Sequence, residues 1–391
     1  MKVLFVAPEL PHTLGGGGTR MYHMLKYLKN NDIKVDLISY NNIDKFEKEN
    51  YEKITEFVNK VFLLNVEDNL LKRINNLVFL KAYPKYLNFE LLLKEVLKNN
   101  SYDIIHVEKF QMSEYFLNID NLPIVIDLWA ACGLEVAFYE ALYEPSFYNK
   151  IIKLTRIPRY HFSNVKFYKK FKNFFVVSDD AKNYILRNYK NKNVYVIPNG
   201  IEFENFPQVN LELNYNLIYI GDMSFYQNID TVIFFVNKIY PEIKKKFKNL
   251  KFYIVGRNPV KEIVEISKKY DSIIVTGYVK DIFEHAKNCC IFVAPIRTGS
   301  GIRNKILEAM AYGLIVITTK NALEGIDAID GKEVLIADTH NEFIEKIMDV
   351  FLNFEKFKVI GNNARELIKN KYQWHQIIKN MISYYKKILE Q

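Results

Sequence analysis

Short apolar runs alternate along this chain with longer amphipathic stretches. Residues 3–7, 35–39, 61–64, 104–107, 124–127, 174–177 and 194–197 are rich in Val, Ile and Phe and bounded by polar or turn residues, which predicts strands. Amphipathic stretches such as 19–30 and 179–189 lie between them and predict helices. Strand–helix alternation predicts a parallel sheet with helices on both faces. The pattern then restarts. Strands are predicted at 217–220, 252–255, 273–276, 291–294, 315–318 and 334–336, and helices at 229–246, 260–270, 302–311 and 341–351. Pro198-Asn199-Gly200 closes the first set and Phe206-Pro207 begins a polar connection, so the boundary is placed near residue 200. After the second set, residues 373–390 carry Trp374, Ile377, Ile378, Met381, Tyr384, Tyr385 and Ile388 at three- and four-residue spacing. An isolated helix of that length is marginal in water, so its apolar face is predicted to be buried.

The 391 residues exceed one ordinary core and fit two domains of similar size, which a doubly wound pair would place across a cleft. Hydrophobic residues at 49% and charged residues at 25% exclude wholesale disorder, collagen and coiled coil. No stretch reaches the roughly 18 apolar residues of a membrane span. The apolar start runs straight into Pro8 and Glu9, so no signal peptide is expected. Cys132, Cys289 and Cys290 have no metal-ligand spacing and suit a reducing cytoplasm.

The net charge of +9 favours an anionic partner. Its distribution is uneven: residues 101–149 hold one basic residue, Lys109, whereas residues 150–172 hold eight basic residues and no acidic one. The second stretch interleaves its cations with Ile, Leu, Phe and Tyr. It reads either as a solvated helix face or as a patch resting on anionic lipid. No nucleic-acid recognition motif accompanies it, so nucleic acid is not expected as a partner.

Two glycine-rich loops follow strands. Gly15-Gly16-Gly17-Gly18 precedes the helix beginning at Thr19-Arg20. Its amides could approach a ligand closely at a helix start; a plain flexible turn is the alternative. It is neither a Walker loop nor the dinucleotide fingerprint. The second loop, Gly299-Ser300-Gly301, leads into Ile302-Arg303-Asn304-Lys305 and a helix carrying Glu308. Cations at a helix start oppose the dipole and call for an anion. Arg303, Lys305 and the loop amides suit a diphosphate, and Glu308, one turn on, suits sugar or ribose hydroxyls. His106 and Asp127 each end a first-domain strand, where crevices form. Each could equally be a packed or hydrogen-bonded structural residue. Glu324-Gly325 reads as a ligand contact or a plain turn.

The stretch 295–313, with Glu308-Ala309-Met310-Ala311-Tyr312-Gly313, resembles the donor-binding signature of glycosyltransferase family 4. The resemblance extends over nearly the whole chain, through Asp103-Ile104-Ile105-His106, Val177-Ser178, Ile197-Pro198-Asn199-Gly200, Ile254-Val255-Gly256 and Thr276-Gly277-Tyr278-Val279. Gly221 to Asp230 is similar to the Gly-x-Met-x-x-x-x-Asn-x-Asp stretch of a branch rich in surface-polysaccharide sugar transferases.

That resemblance implies an α/β GT-B fold of two doubly wound Rossmann-like domains facing a cleft. It implies an acceptor-side domain over 1–200, a nucleotide-sugar donor domain over 201–372, and a C-terminal helix, 373–391, packing back on the first. The implied reaction is retaining transfer from a nucleotide-diphosphate sugar to a glycan or lipid-linked acceptor, without metal or other cofactor. No Asp-x-Asp occurs in the sequence. The expected location is cytoplasmic, with peripheral attachment to the inner membrane face left open. On the matching positions, Gly15–Gly18, Gly299, Ser300, Gly301, Arg303, Lys305 and Glu308 would bind donor. Arg20, His106 and Asp127 would face the acceptor, and Asp127, Arg303 and Lys305 would serve catalysis. Two departures stand out. Ser300 replaces the first of the family's paired glutamates, and Gly221-Asp222-Met223-Ser224 lacks the usual Arg and Lys. A nucleotide-sugar 2-epimerase and a non-catalytic donor-binding subunit are the competing readings.

Overall fold

The computed structural model describes residues 1–13, 16–41, 47–65, 85–120, 122–129, 147–299 and 301–391. Gly15, Ser300 and Cys132 lie outside the described residues. The chain divides into two compact units, Met1–Asn199 with Trp374–Gln391, and Gly200–Gln373.

The first unit is built on β1 (Lys2–Ala7), β2 (Lys34–Asn41), β3 (Lys60–Asn65), β4 (Ile104–Glu108), β5 (Ile124–Leu128), β6 (Asn173–Val176) and β7 (Asn193–Val196). Their order is β3-β2-β1-β4-β5-β6-β7, and every pairing is parallel. Parallel strands covered on both faces need apolar side chains on both, and β1 shows this by alternation. Leu4 and Val6 enter one core, with Ile105, Val107 and Ile126. Val3, Phe5 and Ala7 enter the other, with Val35, Leu37 and Val125.

The helices Gly16–Lys29 and Trp374–Leu389 cover that second face. The last helix buries Trp374, Ile377, Ile378, Met381, Ile382, Tyr385 and Ile388, so it is part of the first unit's core. Apolar burial of that size contributes about 1.5–3 kcal/mol per side chain. One face of the first sheet therefore depends on this helix for its cover.

The second unit is built on β8 (Asn216–Ile220), β9 (Lys251–Val255), β10 (Ile273–Gly277), β11 (Ile291–Ala294), β12 (Ile315–Thr318) and β13 (Leu335–Ile336). The order β10-β9-β8-β11-β12-β13 repeats the first unit's winding, again with parallel pairings. In each sheet the order reverses beside the unit's first strand, at β1/β4 and at β8/β11. Such switch points leave a crevice at the strands' carboxyl ends.

Three helices depart from the sequence pattern. The first begins at Gly16 instead of 19, so Gly16, Gly17 and Gly18 form its opening turn. The stretch 229–246 is not one helix: an α-helix, Tyr226–Phe234, passes through a π turn, Phe235–Ile239, into Tyr240–Lys246. Pro241 lies in the first turn of the last segment and cannot donate a backbone hydrogen bond, which accounts for the interruption. An unforeseen helix, Phe354–Lys371, follows His340–Leu352.

Candidate active site

In the second unit, β8 ends at Ile220 and β11 at Ala294, on either side of the strand reversal. The segment after β11 turns through Gly299 (φ 98°) and Gly301 (φ 83°), backbone angles that favour glycine. It enters the helix Asn304–Tyr312, which has no acidic residue in its first turn and ends at Gly313 in the left-handed region. The first-turn amides therefore have no carboxylate of their own helix to offset the dipole.

Lys305 lies in that first turn. Its Nζ donates to the Tyr219 hydroxyl at 2.9 Å and to Asn228 Oδ1. It sits 4.8 Å from the centroid of the Tyr219 ring. Asn228 is oriented in turn by donating to the Asp222 carbonyl at 2.7 Å. Lys305 forms no ion pair among the described residues. Burial, then the neighbouring Arg303 charge, push its pKa down to about 7. Arg303 donates to the Gly301 carbonyl at 2.6 Å, and burial lowers its pKa against the opposing influence of Glu324. Glu324 accepts from the Gly301 amide at 2.6 Å, closing the loop. Glu308 is half-buried and has no hydrogen-bond partner among the described residues. Burial raises its pKa, and Lys305 opposes the rise. Gly299, Gly301, Arg303, Lys305 and Glu308 thus stand together at one switch point: two neighbouring cations, of which Lys305 is held by neutral oxygens, beside a carboxylate with open acceptors.

The first unit's switch point is a buried polar network. Arg20, 1% exposed, donates through one nitrogen to both Asp127 oxygens, at 3.1 and 2.9 Å. Its other terminal nitrogen donates to the Pro198 carbonyl at 3.1 Å and Asn199 Oδ1 at 2.9 Å. His106 Nδ1 lies 2.6 Å from the Tyr385 hydroxyl, and its Nε2 lies 3.0 Å from Glu108 Oε1. Burial pushes the His106 pKa down to about 4, so the ring is neutral at pH 7. A neutral ring fits Tyr385 donating to Nδ1 and Nε2–H donating to Glu108. Burial raises the Glu108 pKa to about 7, opposed by Arg20 and by the Trp129 indole N–H, which donates to Oε2 at 2.5 Å.

His106, Glu108 and Asp127 bring potential ligand atoms within 4.8 Å of one another. Arg20 already takes both Asp127 oxygens and Trp129 takes one from Glu108, so the cluster is hydrogen-bonded as it stands. Asp127 is fully enclosed. In this structure it holds Arg20 and presents no oxygen to a ligand. The Trp129 ring packs on the opening turn of the first helix so closely that a Cβ on Gly17 would lie 1.4 Å from it.

Two family models match the chain. One, described as Glycosyltransferase Family 4, covers residues 14–205; the other, described as Glycosyl transferases group 1, covers residues 214–353. Between them they span most of the sequence. The chain belongs to glycosyltransferase family 4. It is 24% identical over 397 residues to an uncharacterized 44.6 kDa protein in the cps region of Klebsiella pneumoniae, covering 97% of this chain and 98% of that one. Among solved structures, it superposes with a TM-score of 0.70 and 15% identity on a sucrose-phosphate synthase from Thermosynechococcus elongatus, over 100% of both chains. It superposes on HepE of Anabaena in complex with UDP-glucose with a TM-score of 0.66 and 14% identity, over 98% of this chain and 100% of that one. The fold is GT-B, two parallel sheets with flanking helices, and the protein is a glycosyltransferase.

Sequence reasoning on this family 4 glycosyltransferase missed several members of the two clusters. Glu108 carried a usable signal, because residues two apart on a strand share a face and His106 was already singled out. Asn228 stood inside a recognised motif with no role assigned. Tyr219, Trp129 and Tyr385 come from distant stretches, and only the fold brings them to their partners.

Proposed function

We propose that this glycosyltransferase binds a nucleotide-diphosphate sugar in its second unit. It transfers the sugar, with retention of anomeric configuration and without metal, to a glycan or lipid-linked acceptor in surface-polysaccharide synthesis. The observation that carries the reading is Lys305 beside Arg303, half-buried and bonded only to neutral groups, at the start of a helix without acidic first-turn residues.

Such a site is electrostatically incomplete until an anion enters. As the sugar–phosphate bond breaks, negative charge grows on the departing diphosphate and positive charge on the sugar ring. Preorganised cations and amides aimed at the leaving group supply the largest stabilisation a rigid site can offer. Arg303, Lys305 and the Gly299 amide fill that role, and they meet the diphosphate charge that a metal would otherwise neutralise. The open Glu308 carboxylate accepts from ribose hydroxyls. Attack comes from the face the phosphate leaves, and the acceptor proton passes to the departing phosphate oxygen. No protein nucleophile is invoked. Asp127 and Arg20 act as positioning residues that lock the ends of β5 and of the first unit. The polysaccharide context rests on the relative in a cps region, and the donor class is supported by HepE, which binds UDP-glucose.

The test is an assay of nucleotide-sugar turnover with a lipid-linked glycan extract, in EDTA, with the product's anomeric configuration read by NMR. Transfer with retained configuration in chelator is expected. An inverted product, or activity abolished by EDTA and restored by Mg²⁺ or Mn²⁺, overturns the mechanism.

A further inference from the structure

The basic stretch of residues 150–172 has no part in either polar cluster. In the structure it is most of a long helix, Phe147–Lys170. Residues 151, 154, 158, 162, 166 and 169 recur at three- and four-residue steps and so share one face. Ile151, Leu154 and Phe162 on that face are exposed, Phe162 by 73%. A phenylalanine this exposed in a basic stretch is unusual on a surface whose role is only solvation. Beside it the same face lines an open groove of about 670 Å³, floored by Leu117, Phe162 and Val165 and rimmed by Lys85, Lys166, Lys169 and Lys170. Glu114 and Asn118 complete the lining. Lys170 is paired with Asp120 and Lys85 with Glu90, whereas Lys166 and Lys169 form no ion pair among the described residues. The helix that follows Lys85, Leu87–Asn99, adds exposed Leu87 and Leu91, by 68% and 54%.

We infer that this face of the first unit, Phe162 with Lys166 and Lys169 at its centre, seats the protein on an anionic lipid bilayer. Apolar side chains that can enter the headgroup layer, flanked by lysines on one helix face, are the arrangement an interfacial helix uses. Charge complementarity selects the occupant: eight basic and no acidic residues over 150–172 match a negatively charged leaflet. A lysine carries its charge on a flexible apolar stem, so it can reach phosphates while its stem lies on the acyl boundary. No described helix is long and apolar enough to cross a membrane, so any attachment by these residues is peripheral. This inference does not depend on the donor chemistry and can fail without it.

The experiment is flotation of the full chain with protein-free vesicles of phosphatidylcholine, alone or with phosphatidylglycerol. Binding only to the anionic vesicles, weakened by salt, is expected. Removing both Lys166 and Lys169 (Lys166→Ala with Lys169→Ala) should lower partitioning roughly 30-fold. Phe162→Ser should also lower it, with an unchanged circular dichroism spectrum. The control pair Lys246→Ala with Lys248→Ala removes the same charge from the second unit and should leave partitioning unchanged. Equal loss in the control would assign binding to net charge and overturn the inference. So would wild-type binding equally to neutral vesicles, or binding to native membranes but not to lipid alone, which would make the partner a protein.

Discussion

The Nζ of Lys305 lies 2.9 Å from the hydroxyl of Tyr219, joining the first turn of a helix to β8 where the second sheet reverses its order. Asn228, from a third element, accepts from the same nitrogen. Both partners are neutral, so they orient the ammonium without discharging it. A half-buried cation held in this way gains most from a ligand that brings negative charge.

Replacing that charge should show first in donor kinetics. Arg303→Ala and Lys305→Ala each remove charge-assisted hydrogen bonds worth roughly 1.5–3 kcal/mol, or about 10- to 150-fold in kcat/KM for the donor. Steady-state kinetics with varied nucleotide sugar checks this. Both variants should retain the wild-type circular dichroism spectrum, because their charged ends meet only loop and switch-point groups.

The depressed pKa of Lys305, about 7, makes donor affinity pH-dependent. A diphosphate favours the ammonium form and so raises that pKa on binding. Above pH 7 the free amine is largely neutral and must take up a proton to bind. Affinity should therefore fall as pH rises through 7 to 9. Calorimetry at pH 8 in buffers of different ionisation enthalpy should show proton uptake; no uptake would exclude Lys305 as the titrating contact.

The same shift makes Lys305 a stability liability in the unliganded protein. Its folded pKa lies below the unfolded value, so the unfolded state binds more protons between about pH 7 and 10, and stability rises with pH there. Lys305→Met should raise Tm at pH 6–7 while abolishing donor binding, and the gain should shrink towards pH 10. Thermal melts across that range decide it.

Asp127 and Arg20 form a pair that is worth most when intact. Asp127→Ala leaves a guanidinium buried with its counter-charge gone, at a cost of about 3–5 kcal/mol. Urea denaturation should show the loss in the transition of the first unit. A loss of activity with unchanged stability would instead make Asp127 a group that touches substrate.

Removing the last helix is the severest test of the first unit. A chain ending at Gln373 lacks Trp374, Ile377, Ile378, Met381, Tyr385 and Ile388, all buried against the sheet that also holds His106. Losing roughly 1.5–3 kcal/mol for each is as large as the whole margin of about 5–15 kcal/mol that holds a typical domain together. The first unit should lose its cooperative transition, whereas Tyr385→Phe should cost only about 1 kcal/mol.

The strands were legible in the sequence because parallel strands buried on both faces read as unbroken Val, Ile and Phe runs. The helix Phe354–Lys371 was not, because Gly361-Asn362-Asn363 places three weak helix formers at its centre. The π turn at Phe235–Ile239 was hidden because an apolar period continues through Pro241. In the site, Arg303, Lys305 and Glu308 could be read from spacing, since they share one loop and helix start. Their settings could not: Tyr219 reaches the site only through sheet order, and Glu324, readable as a contact or a turn, closes the glycine loop. The glycine run preceding Arg20 suggested a donor contact. The structure shows Gly17 accommodating Trp129, a packing role invisible in the pattern.

The proposed donor site stands or falls on Arg303 and Lys305 binding a nucleotide-diphosphate sugar in the second unit. The most direct measurement is a thermal-shift titration of the wild type and of the Arg303→Ala and Lys305→Met variants against a panel of nucleotide sugars in EDTA. A ligand that binds only the native state stabilises it by RT ln(1 + [L]/Kd), so a matching donor stands out from the panel. A concentration-dependent rise in Tm is expected for one donor with the wild type, and no rise with either variant. An equal rise in all three proteins, or no rise with any nucleotide sugar, would contradict it.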